Sequence, residues 1–204
     1  MITTKSRLSD FISLFNAFWY RDFPLSEVYQ PLSNRAGWTA HIGSVVKSSA
    51  DLLGLFTYFE SGTRTDAIIR NNKERDIAHL EWEWWQPFTD KVNEIQKLHA
   101  QRKGAEFSVF FSYSRKDHHT ENLNSILRQW GKSPQPLIVF LVTFEVRKRR
   151  RWFYDLETYL VQNGSMKMLR TQPALPWDVE GTRWESYKQL DQQSGGELVN
   201  GQQR

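Results

Sequence analysis

The chain has 204 residues, 39% hydrophobic and 25% charged, with a net charge of +4 and no cysteine. Its length suits one large domain or two small ones, and the missing cysteine excludes disulfide scaffolds, thiolate zinc sites and cysteine nucleophiles together. Nine Trp within an aromatic content of 14% exclude long disorder, because disordered segments are poor in aromatic residues.

The first residues lack a long apolar core with a small-residue cleavage site, so no signal peptide is read. The longest apolar run, Leu137 to Val142, is too short to span a bilayer. A soluble, cytoplasmic protein is expected. In chain order, Leu8 to Tyr20 carries apolar groups at helical spacing, with Ser9 as the predicted cap and an end before Pro24. Phe23 to Arg35 reads as loop. A second helix is predicted from Thr39 to about Ala50, with Ile42, Val45, Val46 and Ala50 inward.

Three short strands follow: Leu52 to Phe59, Thr65 to Arg70 and Asp76 to Trp85, separated by Ser61-Gly62 and Asn71-Asn72-Lys73. The third alternates, with Ala78, Leu80, Trp82 and Trp84 on one side and Ile77, His79, Glu81 and Glu83 on the other. Together they predict an antiparallel meander. A helix capped by Thr89, with Val92, Ile95 and Leu98 as its stripe, leads to a buried strand at Phe107 to Tyr113. A short helix at Asn122 to Trp130 and a strand at Pro136 to Val146 come next. Trp152 to Val161 and Met166 to Arg170 then flank Asn163-Gly164, which suits a type I′ turn. Residues 1–184 are thus expected to form one α/β domain, with 185–204 a polar, flexible tail.

Asp66, Glu81 and Glu83 are the candidate catalytic residues. A hairpin turning at Asn71-Asn72 folds Glu81 and Glu83 back toward Asp66, and the spacing of two puts both glutamates on one face beside His79. Carboxylates crowded together repel, and a hard divalent cation neutralises them well. Mg²⁺ or Mn²⁺ held there could orient water for attack on a phosphodiester. Equally, alternating charges on a strand often mark only its solvated face.

These residues resemble the PD-(D/E)XK nuclease superfamily. Arg64-Thr65-Asp66 is similar to its PD element without the proline, and Glu81-Trp82-Glu83 to its (D/E)xK tripeptide with glutamate in the lysine place. The resemblance covers about residues 38–113. It implies a restriction-endonuclease-like core, a mixed sheet with a three-strand antiparallel meander flanked by helices, to which a C-terminal β-hairpin is added. It also implies metal ligation by Asp66 and Glu81. Glu83 could bind a second metal or act as a general base. Lys91 could supply the missing cation, and His79 and Glu60 are accessory candidates. An inactive version of the fold, binding nucleic acid or protein, is the alternative.

Arg147-Lys148-Arg149-Arg150-Arg151 falls between two strands and is expected to project as a cationic hairpin tip that meets phosphates. Trp152, Phe153 and Tyr154 follow it, and one could stack on a base. The expected partner is nucleic acid, DNA before RNA. No membrane partner is expected, and a homodimer is left open. A rival resemblance lies in Glu106 to Leu127: Tyr113-Ser114-Arg115-Lys116-Asp117 is similar to the first motif of TIR domains. That resemblance implies signalling by self-association or NAD cleavage with Glu157 as catalytic acid, and it needs repeated parallel βα units.

Overall fold

A computed structural model describes residues 4–21, 23, 35–61, 65–89, 91–148, 150–187 and 197–198. Most of the loop expected between Phe23 and Arg35, the turn at 62–64 and most of the expected tail lie outside the described residues. Helices α1 (Thr4–Arg21) and α2 (Arg35–Leu52) precede strands β1 (Phe56–Ser61), β2 (Thr65–Arg70) and β3 (Asp76–Glu83). Helix α3 (Glu94–Gln101), strand β4 (Phe107–Arg115) and helix α4 (His119–Trp130) lead to β5 (Leu137–Arg147), β6 (Arg150–Gln162) and β7 (Ser165–Pro173), with a two-residue β8 (Glu197–Leu198).

The strands lie side by side in chain order from β1 to β7, and β8 pairs with the start of β6. Pairing is antiparallel from β1 to β3, parallel from β3 to β5 and antiparallel again to β7. The result is an α/β fold on a mixed sheet, with the expected meander, helix, strand order and C-terminal hairpin. The parallel pairs are those bridged by α3 and α4, since a parallel connection needs a crossover.

Each face of the sheet is covered by one helix pair. Phe11, Phe15 and Trp19 of α1 and Trp38, Ile42, Val45 and Val46 of α2 pack on Leu80, Phe107, Phe111, Phe140 and Val142. Phe15 stacks on Phe140 with ring centroids 3.9 Å apart, and Trp19 on Phe111 at 5.4 Å. On the other face Val92, Ile95 and Leu98 meet Phe110, Ile126, Trp130, Leu137 and Val139. Burying one such side chain contributes about 2–3 kcal/mol. The aromatic excess in the composition is therefore mainly core.

Several boundaries differ from expectation for identifiable reasons. Helix α1 begins at Thr4, so Ser9 lies inside it, where its carbonyl accepts a bond from the Ser13 hydroxyl. The predicted strand at Leu52 starts later, because α2 runs to Leu52 and ends in a Schellman motif. Gly54 sits at φ +69°, Leu55 N–H donates to the Ala50 carbonyl and Gly54 N–H to that of Asp51. Thr89 closes a turn onto the Gln86 carbonyl rather than capping α3, which begins at Glu94. Asn163 and Gly164 both have positive φ, as a type I′ turn requires. The antiparallel β5–β6–β7 run replaces the parallel βα repeats that the TIR resemblance needs. No helix among the described residues is long and apolar enough to cross a membrane.

Candidate functional site

Register brings the two expected metal ligands together. Ala67 pairs with Leu80 and Ile68 with His79, which sets Asp66 opposite Glu81 on the face that α3 covers. Asp66 Oδ2 accepts the Trp82 backbone N–H at 2.7 Å. The two carboxyl groups face each other closely enough that each perturbs the other's ionisation. Burial, followed by the charge of Asp66, pushes the Glu81 carboxyl up to about 8. Burial raises Asp66 as well, against the opposing effect of the Trp82 N–H. Glu81 is therefore the member of the pair that favours its protonated form. Glu81 is only 2% exposed, and its Oε1 has no hydrogen-bond partner.

Helix α3 adds a cation that sequence reasoning missed. Lys97 Nζ lies 3.1 Å from Glu94 Oε1, and Glu94 Oε2 accepts the Asn93 N–H at 2.9 Å. Burial works against the Lys97 charge, but Glu94, Glu81 and Asp66 together outweigh it and raise its pKa. Gln101, one turn on, accepts the Thr65 hydroxyl at 3.1 Å and ties α3 to the start of β2. Glu94, Lys97 and Gln101 recur at spacings of three and four, so one flank of the helix faces the pair. That polar recurrence beside the apolar stripe of Ile95 and Leu98 was the available signal.

The other predicted residues are placed differently. Glu83 Oε1 accepts the backbone N–H groups of Trp84 at 2.5 Å and Trp85 at 3.0 Å, anchoring the turn that ends β3. Lys91 lies over the Trp85 ring, with Nζ 4.3 Å from its centroid. His79 Nε2 pairs with Asp76 Oδ2 at 2.9 Å, and Asp76 also pairs with Arg70 at 2.6 Å. Burial opposes the Asp76 charge, but these two partners outweigh it and hold its carboxyl below the usual range. His79 and Glu81 are 5% and 2% exposed, so the charged side of β3 is covered rather than solvated. Glu60 closes β1 at φ +49°. Among the described residues, no group of three or more acidic or histidine side chains is arranged to hold a metal ion.

The basic run does occupy the β5–β6 tip, but it is not one cationic surface. Arg151 is 4% exposed and lies over the rings of Trp84 and Phe144, at 4.5 and 4.7 Å. Arg147 pairs with Glu145 at 2.6 Å and donates to the Tyr154 hydroxyl at 2.6 Å. Lys148 is exposed, and Arg149 lies outside the described residues. Phe153 packs into the first core beside Trp38, at 5.1 Å.

Two hollows meet over Asp66. The larger, about 480 Å³, has Thr39, Gly43 and Lys47 of α2 on one side and Phe59, Asp66 and Trp82 on the other. The smaller, about 250 Å³, shares Thr39, Asp66 and Trp82 and continues past Glu83, Trp84 and Tyr113. Asp66 is thus the one acid of the pair that both hollows reach.

A second polar network lies at the end of β4, in the motif of the TIR resemblance. Ser114 Oγ meets His119 Nδ1 at 2.8 Å, and His119 Nε2 meets Glu157 Oε2 at 3.2 Å. Tyr159 donates to Glu157 at 2.6 Å. Burial opposes the Glu157 charge, yet the His119 and Tyr159 bonds hold its pKa down. Ser114 is fully buried and also accepts from Asn122 at 3.0 Å, which makes this arrangement an internal brace between β4, α4 and β6.

No protein-family profile matches the chain, and no curated protein matches it. Among solved structures it is similar to the crystal structure of the YaeQ protein from Xanthomonas axonopodis pv. citri, at 10% sequence identity and a TM-score of 0.31. That similarity covers 72% of this chain and 83% of the other.

Proposed function

We propose that the chain hydrolyses phosphodiester bonds in nucleic acid, DNA being the first substrate to test, with Mg²⁺ or Mn²⁺ held by Asp66 and Glu81. The carrying observation is the buried, closely facing Asp66–Glu81 pair with one orphaned oxygen. Its donors are all oxygen, and Mg²⁺ commonly uses one or two carboxylates together with waters and substrate phosphate, so the residues fit. A bound cation there would polarise a phosphoryl oxygen and favour ionisation of water.

The protein's own contribution follows from the geometry. The Trp82 N–H orients Asp66. Glu81 would give up its proton to ligate a cation. Lys97, 39% exposed at its side chain, supplies the cation that the resemblance expects from a lysine at position 83, placing charge where it develops in the transition state. Glu83, bound to two backbone N–H groups, shapes the turn instead of serving as base.

The test is incubation of plasmid, single-stranded DNA and RNA with purified protein in Mg²⁺, Mn²⁺ or EDTA. Cleavage should need the cation and should be lost in Asp66→Asn and Glu81→Gln. Absence of cleavage on every substrate, or cleavage that survives both substitutions, overturns the assignment. One observation favours a second reading, a non-catalytic nucleic-acid-binding module: Glu81 is buried beneath α3. Binding without cutting would select it.

A further inference from the structure

The larger hollow at Asp66 has features that core packing does not explain. Phe59 is 44% exposed, and it meets Trp82 edge-on with ring centroids 6.5 Å apart. Two aromatic rings therefore line a groove that opens beside a candidate catalytic acid. Gly43 stands opposite, inside α2, where glycine is about 1 kcal/mol less favourable than alanine. Close packing does not demand it: a Cβ at Gly43 would sit 3.4 Å from Phe59 Cε1, an ordinary contact. The bare position faces the edge of the Phe59 ring, and Gly43 lines the hollow beside it. Lys47, 58% exposed at its side chain and paired with Asp51, puts a cation at the rim; Thr39 and Ser44 add hydroxyls to the lining, and Glu60 and Asp66 its two carboxylates.

Aromatic rings, a cation and hydroxyls along a groove match the chemistry of an unpaired nucleic-acid strand. Its bases offer π faces for stacking, and its phosphates seek positive charge. A duplex offers phosphates but not base faces, since its bases are already stacked on one another. A hollow of about 480 Å³ falls in the size range of a site for a single small-molecule unit.

We propose that the groove between α2 and β1 binds an unpaired nucleotide of single-stranded DNA or RNA, its base stacked on the exposed Phe59 ring with Trp82 edge-on beside it and a flanking phosphate at Lys47. The proposal rests on the hydrolase reading and names its substrate class: a strand single-stranded, or flipped out, next to the bond to be cut. A larger side chain at position 43 would crowd Phe59 and intrude on the groove.

Fluorescence anisotropy with labelled 12-nucleotide DNA, the matching RNA and the matching DNA duplex, in EDTA, tests it. At least one single strand should bind tenfold or more tighter than the duplex, and the comparison of DNA with RNA identifies the sugar. Phe59→Ala should weaken that binding by about five- to hundredfold, the range for loss of one base-stacking ring. Gly43→Leu should weaken it similarly by filling the groove. Gly43→Ala should keep or raise the thermal midpoint, showing that α2 is intact. Equal or tighter duplex binding, no binding of either single strand, or unaltered binding in both Phe59→Ala and Gly43→Leu would overturn the proposal. Its failure is distinguishable from that of the hydrolase reading: single-strand binding without cleavage defeats only the latter, and equal cleavage of duplex and single strand defeats only this one.

Discussion

Replacing Glu81 by glutamine should make the protein more stable near neutral pH, by an amount that depends on pH. The Glu81 carboxyl is pushed from 4.5 up to about 8 in the folded chain. Because its folded pKa is raised, the favourable contribution is fully present below about pH 4.5 and is lost as pH rises toward 8. In that window the folded chain keeps a proton that the unfolded chain releases, which lowers stability by about 1.4 kcal/mol per pH unit. Between pH 4.5 and 7 the loss reaches about 3 kcal/mol, a ceiling because the proton belongs to the Asp66–Glu81 pair. Glutamine cannot ionise. At about 2–4 °C per kcal/mol for a chain of this size, Glu81→Gln should melt up to about 10 °C higher at pH 7 and within about 2 °C of wild type at pH 4.5. Thermal unfolding followed by circular dichroism from pH 4.5 to 8 measures this. A melting difference that stays constant with pH would refute the reasoning.

Lys97→Met should lower any metal-dependent cleavage by about a hundredfold, in line with removal of one charge-stabilising group; single-turnover rates measure it, and an unchanged rate would remove Lys97 from the site. Arg151→Ala should destabilise by about 1–3 kcal/mol through loss of its two ring contacts, read as a lower melting temperature. Lys148→Ala should leave melting unchanged but reduce the salt slope of oligonucleotide binding by about one if the β5–β6 tip meets phosphate. His119→Ala should cost about 1–2 kcal/mol by removing its hydrogen bonds to Ser114 and Glu157, which keeps only the Tyr159 hydroxyl, visible as a lower denaturant midpoint.

The strand pattern was the most readable part of the fold. Strict alternation from Ala78 to Trp84 identified the side of β3 that packs against α1 and α2, and Asn163-Gly164 located the C-terminal hairpin, because both signals are local. The convergence of Asp66 and Glu81 was readable because one hairpin register fixes it. The environment of that pair was not. Whether the face bearing His79 and Glu81 meets water depends on where α3 docks, and docking follows from tertiary packing of Ile95 and Leu98. Lys97 escaped notice for the same reason, since a lysine on a short helix acquires its role only from what lies beneath it. Glu83 and Arg151 show the reverse effect. Each is charged and matched a functional pattern, yet backbone N–H groups hold one and aromatic rings the other. Such partners, set by a turn after β3 and a register in β6, leave no mark in spacing alone.

Calorimetric titration of the wild-type protein with Mn²⁺ at pH 7, repeated in buffers of different ionisation enthalpy, tests the pair most directly. Binding should release about one proton per cation, because Glu81 must ionise to ligate, and both binding and proton release should vanish in Glu81→Gln. Absence of Mn²⁺ binding, or binding that survives Glu81→Gln unchanged, would contradict the account.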